Sequence, residues 1–328
     1  MGKAIIISLI SLLGVSAHAQ KKPVPAVPEI SHTHLRIGVA FPTRSMPFYL
    51  EVSTGLQQAA SQKGYELTIN SADVPPQANP DNTLGLQVQK QIRQLENFIV
   101  DGMDCIILTP VSSTALGPEI AKANRAGIPV FTVDIRNDSK EGAIARHVAS
   151  DNVRGGKLAG LELINVLKGH GKVAILSMDG VSSSEDRVQG FKEAVSLAAG
   201  IQILDVLQTD GRRITAFSLF DKLLKDHPDL NAIFATNDQM ALGVYDAIHH
   251  EKRTNLILIG FDASKDARQK ILAQTEFHAS VVKHPIELGK DMIQSISDYY
   301  DGDHSGAAKL IDVGLCSPSR LQDCVAAP

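Results

Sequence analysis

Several apolar runs in this chain end on groups that hydrogen-bond rather than react. Asn237 and Asp238 follow "AIFAT", Phe261 and Asp262 follow "LILIG", Asp134 follows "PVFTV", and Lys283 follows "HASVV". Phe48 and Tyr49 lie in "PTRSMPFY" after "LRIGVAF", and Glu185 lies in "DGVSSSEDR" after "KVAILSM". Amides and carboxylates pair with hydroxyl groups, and ring faces stack on C–H surfaces. The set therefore suits a small polyhydroxylated solute. It does not suit a hydrolytic nucleophile: there is no G-x-S-x-G elbow, and His284 is the one histidine that follows these runs. A glycine-rich dinucleotide fingerprint and a phosphate-cradling loop are also missing. Asp134, Glu185 and Asp262 could serve as paired acids for glycoside hydrolysis, but no elaborated substrate groove accompanies them.

Each residue also has a structural reading. Asp238 is expected to cap the helix that begins at Gln239, which leaves Asn237 free to face a ligand. Asp262 could cap "ASKDARQKI", but beside Phe261 it reads as a hydroxyl acceptor next to a ring face. Phe48 and Tyr49 are adjacent and cannot share one helix face, so at least one of them should reach the cleft. Glu185 and Lys283 either touch the ligand or pair with each other across a hinge.

The elements that must position these groups alternate strand and helix from Leu35 onward. Strand candidates are "LRIGVAF", "YELTIN", "DCIILTP", "PVFTVD", "RHVAS", "KVAILSM", "IQILDVLQT", "NAIFATN", "LILIGFD" and "HASVVK". Most are continuous apolar runs, as expected where helices cover both faces of a parallel sheet. Between them lie single apolar stripes at helical spacing, such as Val88, Ile92, Leu95 and Ile99. Gly64, Gly102, Gly127 and Gly171 fall where left-handed helix ends are expected. The strands are too many for one comfortable sheet, so the α/β chain splits in two, with "DIRNDSKEGAIA" as the best internal boundary. In open parallel sheets a ligand sits beyond the carboxyl ends of the strands, where the polar groups above fall. The proline-rich insertion "SADVPPQANPDNT" reads as a rim loop.

Length and composition agree with two domains of ordinary size. The 328 residues are 44% apolar and 21% charged, with a net charge of −4 and no tryptophan. This balance argues against a nucleic-acid partner. Residues 1–19 read as an export signal: Lys3, the apolar run "AIIISLISLLGV", and "AHA" as a cleavage site after Ala19. Residues 20–34 form a proline-stiffened leader. A periplasmic location follows, and in that oxidising compartment Cys316 and Cys324 can form a disulfide that staples the last strand to the tail. Two free thiols are the alternative. Cys105 reads as a buried small hydrophobe, and no Cys/His cluster suggests a metal. No cofactor is implied.

The residues also carry a resemblance. The chain from about Leu35 to about Val313 resembles the periplasmic sugar-binding proteins of the ribose-binding type, whose fold is shared by the ligand domains of LacI-type repressors. The matching stretches are "MPFY", "ASDNVRGGKLAG", "DRVQGF", "AIFATNDQMALGV" and "LIGFDASKDA". In place of a repressor headpiece this chain has an export signal. The resemblance implies two similar doubly wound parallel-sheet lobes joined by a three-stranded hinge. The first lobe would be 35–150 with 284–310 and the second 151–283 with 311–328, crossing near Ser150, Lys283 and residue 311.

Carried over by position, the resemblance implies ligand contacts at Phe48, Tyr49, Asp134, Asn237, Phe261 and Asp262. The chain departs at Met46, where an amide is expected, and at Ile135 and Glu185, where arginines are expected. Lys283 replaces a hinge glutamine, and an expected aromatic falls near Gly211. Arg136, Arg44 or Arg187 could supply a cation from a neighbouring position, Arg187 reading as part of the structural "DRVQGF" turn. These losses argue against ribose itself. The implied function is a non-enzymatic, monomeric solute-binding protein that captures a small sugar or polyol. It would deliver that ligand to the membrane permease of an ATP-driven (ABC) importer, or alternatively report it to a chemoreceptor or histidine kinase.

Overall fold

The computed structural model describes residues 34–75, 80–252 and 255–326. The expected export signal and residues 20–33 of the expected leader lie outside the described residues. From Leu35 the chain runs through β1 (Arg36–Phe41), α1 (Pro47–Lys63), β2 (Glu66–Ser71), α2 (Pro80–Val100), β3 (Cys105–Leu108), α3 (Gly117–Arg125), β4 (Val130–Val133) and β5 (Arg146–Ser150). It continues through α4 (Asn152–Val166), β6 (His170–Ser177), α5 (Ser182–Val195), β7 (Gly200–Gln208), α6 (Arg213–Asp226), β8 (Ala232–Ala235) and α7 (Asp238–His250). Then come β9 (Ile257–Asp262), α8 (Lys265–Leu272), β10 (Phe277–Val282), α9 (Pro285–Tyr300), β11 (Lys309–Ile311), β12 (Gly314–Cys316) and α10 (Leu321–Ala326).

These strands form two six-stranded sheets with the same plan, β11-β5-β4-β3-β1-β2 and β12-β10-β9-β8-β6-β7. Each is an α/β lobe with helices on both faces, as the sequence pattern implied. Burial explains the composition of the strands. The inner strands β3, β4 and β8 are buried at every residue, whereas the edge strands β2 and β7 alternate or stay half-exposed. All pairings are parallel except β10 with β12. The short β11 and β12 are absent from the strands expected from sequence.

The chain passes between the sheets three times: after β5, after β10, and between β11 and β12. Ile311 still pairs with Ser150 in the first sheet, so the third passage begins just beyond it rather than at it. Helix α9 follows the second passage and packs on α1 of the first lobe. A Cβ at Gly55 would lie 2.1 Å from the Ile286 carbonyl oxygen, and one at Gly289 would lie 2.3 Å from that of Val52. Only glycine permits that approach. Gly64 ends α1 in the left-handed region at φ 74°. After α4 it is Gly169, at φ 78°, that turns this way, while Gly171 lies inside β6, a correction to the expected position. Cys316 and Cys324 are joined by a disulfide that fastens β12 to α10, and Cys105 is free and buried.

Candidate functional site

Doubly wound sheets open at the point where strand order reverses. Here that is between β1 and β3 in one lobe and between β6 and β8 in the other. The two openings face each other across a cleft lined by Met46, Phe48, Tyr49, Asp134, Met178, Ser183, Arg187, Asn237, Asp238, Asp262 and Lys283, among others. The lobes also touch at the rim. The amide of Ser113 donates to the Gly180 carbonyl at 2.8 Å, and the amide of Ser182 donates to Ser113 Oγ at 2.9 Å.

Two of the acidic groups owe their direction to backbone turns at strand ends. Asp134 has φ 67° and Asp262 has φ 114°, both in the region that side-chain-bearing residues avoid. Such conformations persist only where surrounding structure holds them, and they cluster at ligand sites. Asp238 instead begins α7, where it is 1% exposed. Its Oδ2 accepts from the Ser264 amide at 2.6 Å and its Oδ1 from Ser280 Oγ at 2.7 Å, tying the ends of three strands together.

A buried cluster of opposite charges fills the middle. Lys283 Nζ donates to Asp134 Oδ1 at 2.7 Å, stands 3.7 Å from Asp262, and lies 3.5 Å over the Phe48 ring. The Tyr49 hydroxyl donates to the other oxygen of Asp134 at 3.3 Å. Arg187 is 3% exposed and reaches both carboxylates at long range, 3.9 Å to Asp134 and 3.8 Å to Asp262. Asn152 and the Thr236 carbonyl hold the guanidinium in place, at 2.9 and 2.5 Å, and the Phe261 ring supports it from below at 4.0 Å. That placement depends on close helix packing. A Cβ at Gly156 would lie 2.1 Å from the Arg187 carbonyl oxygen, and one at Gly190 would lie 1.9 Å from that of Val153. The glycines of "VRGGKLAG" and "DRVQGF" thus bring α4 and α5 together and set Arg187 at the cleft.

The same chemistry separates the titration of the acids. Burial pushes the Asp134 carboxyl up, but Lys283 and Arg187 outweigh it and hold the group below the usual range. Burial, reinforced by the Asp262 charge, pushes Asp238 up to about 7. Burial also raises Asp262, against the pull of Lys283 and Arg187. Burial lowers Lys283 despite Asp134 beside it, and burial with the Asp134 charge raises the Tyr49 phenol well above its ordinary value.

The structure brings Phe48, Tyr49, Asp134, Asn237, Asp262 and Lys283 to one cleft and places three other candidates elsewhere. Glu185 is exposed on the outer side of α5, where it accepts from the Gly180 amide at 3.0 Å, so of its two readings neither holds: it does not line the cleft and does not pair with Lys283. Helical geometry gives the reason: Ser183 and Arg187, four residues apart, share the face that lines the cleft, and Glu185 between them cannot. Arg187, read from sequence as structural, therefore supplies the cation.

Arg136 lies at the rim, where its guanidinium pairs with Asp186 and Asp138 and its amide donates to Ser182 Oγ at 2.9 Å. Phe261 is fully buried with its ring toward α4, because successive residues of a strand point to opposite faces. The capping roles at 237 and 238 are also reversed. Asn237 is the cap, its Oδ1 accepting from the Met240 amide at 2.8 Å, while its Nδ2 donates to the Gly211 carbonyl at 3.2 Å. Ser264 caps α8, so Asp262 is free of that task. Among the described residues no group of His, Cys, Asp and Glu could hold a metal ion, and no helix is long and apolar enough to cross a membrane.

Two parallel-sheet lobes facing across a polar cleft, with three passages between them, define a bilobal solute-binding protein. Comparison with known sequences agrees: the periplasmic binding protein domain matches residues 37–304. The ribose import binding protein of Bacillus subtilis is 30% identical over 326 residues, covering 98% of this chain and 99% of that protein. The D-ribose/D-allose-binding protein of Pseudomonas aeruginosa is 30% identical over 264 residues, covering 77% of this chain and 79% of its own. Among solved structures, an ABC transporter solute-binding protein from Mycobacterium smegmatis with bound glycerol is 28% identical. It superposes with a TM-score of 0.78 over 90% of this chain and 97% of that one. The chain belongs to the periplasmic binding protein family and is a non-enzymatic, sugar-binding solute-binding protein of the ABC-transport type.

Proposed function

We propose that this protein is exported to the periplasm after cleavage at Ala19 and captures a neutral sugar or polyol between its lobes. The liganded, closed form then docks on the permease of an ABC importer. The lobes of this reading are residues 35–150 with 284–310 and residues 151–283 with 311–328, hinged at the three passages. Phe48, Tyr49, Asp134, Arg187, Asn237, Asp262 and Lys283 are its ligand contacts. The observation that carries it is the balance of charge in the cleft. Glu51, Asp134 and Asp262 stand beside Arg187, Lys265, Arg268 and Lys283, and the Asp238 carboxyl, pushed up to about 7, adds a group that is ionised only in part near neutral pH. A ligand with a net charge would upset that balance, whereas hydroxyl groups can donate to the acids and accept from the bases.

The test is a thermal-shift screen with pentoses, hexoses and polyols beside sugar acids and amino sugars. A ligand supplied at about a hundredfold its dissociation constant adds about 2.7 kcal/mol of stability. A shift with a neutral carbohydrate is the expected result. Shifts with charged solutes alone would overturn it, as would none at all.

A further inference from the structure

The cleft does not end at the charged cluster. Met46, Tyr49, Ile135, Met178 and Val181 line that chamber and also a second one beyond it, with about 370 Å³ of water-accessible space against about 60 Å³. The second chamber lies between the lobes as well. Thr83 and Leu84 of α2 form one side, and Gln208 to Asp210 at the end of β7, with Thr215 in α6, form the other. Thr83, the last residue of the insertion read from sequence as a rim loop, thus lines the chamber from within α2, a correction to that reading for its last four residues.

Its chemistry resembles that of a sugar site with fewer charges: Asp179 and Asp210 are its acids, and Asp210 is paired with Arg212. The surface that the two chambers share is mostly apolar C–H, while hydroxyl, amide and carboxylate groups line the rest of the second one. No Lys or Arg is among the described residues that line it, which disfavours an anionic group there. Thr215 Oγ1 is buried with no hydrogen-bond partner among the described residues. A buried hydroxyl left without a partner costs stability that a ligand can restore. Met46 and Met178 belong to the shared surface, and unbranched thioether chains adapt to what lies against them. Gly211 leaves Met178 its room: a Cβ there would lie 2.5 Å from the Met178 sulfur.

We propose that the ligand is a neutral glycoside of two joined rings. The first ring lies on Asp134, Arg187, Asn237 and Asp262, and the second, also hydroxylated, lies in the adjoining chamber against Thr215 and Gln208. This rests on the sugar-binding reading above and narrows its substrate class from single sugars to disaccharides. Lys283 supports the division, because its ammonium already covers the Phe48 ring and narrows the first chamber.

Calorimetric titration of the mature protein tests it with matched probes: glucose with maltose and cellobiose, galactose with lactose and melibiose, and xylose with xylobiose. Phenyl glycosides of the same sugars complete the set. At least one disaccharide should bind tenfold or more tighter than its component monosaccharide. Leu84→Trp fills the second chamber from a position that is 49% exposed, so folding should tolerate it. The variant should weaken the disaccharide at least tenfold and leave the monosaccharide within twofold, and Thr215→Val should weaken the disaccharide alone. Monosaccharides that bind as tightly as disaccharides would overturn the two-ring assignment and leave the sugar-binding function standing. Indifference of the disaccharide to Leu84→Trp would do the same. A phenyl glycoside that outbinds every disaccharide would overturn the hydroxylated second ring. Absence of binding by every carbohydrate would overturn both readings.

Discussion

Asp134 on the first lobe and Asp238 on the second are both buried carboxylates at strand ends, yet their environments drive them in opposite directions. Asp134 has two cations at hand, Lys283 in contact and Arg187 at 3.9 Å, and is held ionised. Asp238 has neutral partners, Ser280 and Ser264, with burial and the nearby Asp262 charge acting against its ionised form, and is driven toward protonation. Burial is nearly equal for the two, at 4% and 1% exposed. Burial pushes both carboxyls up, and neighbouring charge decides whether that push prevails. Lys283, at the second passage between the sheets, is what makes the walls differ. It leans toward Asp134 at 2.7 Å and stands a full ångström farther from Asp262.

Removing that lysine is the most forceful way to break the contrast. Lys283→Met strips a buried ion pair of one partner, which costs about 3–5 kcal/mol when the remaining charge has no compensation. Equilibrium unfolding in urea should show a loss of that order. Adding Asp134→Asn to Lys283→Met should recover most of it, since the stranded carboxylate is then gone. A single variant that unfolds at the same urea concentration as the parent would mean that Arg187 alone holds Asp134, and the hinge lysine would lose its place in the comparison.

The pH dependence of stability sharpens the contrast further. Asp238 has a raised folded value, about 7 against about 3.9 unfolded, so it contributes stability below its unfolded value. That contribution is lost as the pH rises through about 7. Asp134 has a lowered value and works the other way: its contribution is present above the unfolded value and is lost on acidification. Between about pH 4 and about pH 7, Asp238→Asn should flatten a decline whose limiting slope is about 1.4 kcal/mol per pH unit for one proton. The acid limb below about pH 4 should remain. Melting temperatures of parent and variant across that range provide the measurement. Parallel curves would show that Asp238 does not carry the proton.

Much of this architecture was legible from residue order. Continuous apolar runs marked the inner strands, and the polar residues just after them marked the ends of the sheets that face the cleft. What was not legible depends on directions that residue type does not specify. Strand period alone separates Asp262 from Phe261, since adjacent side chains point to opposite faces. Helix period separates Arg187 from Glu185, because two residues along a helix is more than half a turn. Reading "VSSSEDR" by aligned position rather than by face put the cation two residues too early. The three-residue strands β11 and β12 carry no pattern of their own and form because the hinge returns them to sheet edges already built. The order of cap and first helical residue at 237 and 238 was equally hidden. Backbone angles decide it, and Asn237 is the extended one at φ −149°, ψ 163°.

That order makes Asn237 the finest probe of the second wall, since it caps α7 and faces the cleft at once. Asn237→Ala removes the acceptor for the Met240 amide and should cost about 1 kcal/mol in the ligand-free protein. Asn237→Ser keeps an oxygen at the capping position but loses the amide, so most of that stability should remain. Both variants lack the Nδ2 group, and both should bind a neutral sugar at least tenfold more weakly if that group reaches the ligand. Paired urea melts and calorimetric titrations separate the two roles. If serine restores binding along with stability, the side chain acts only as a cap. The second wall would then present its carboxylates to the ligand without an amide beside them.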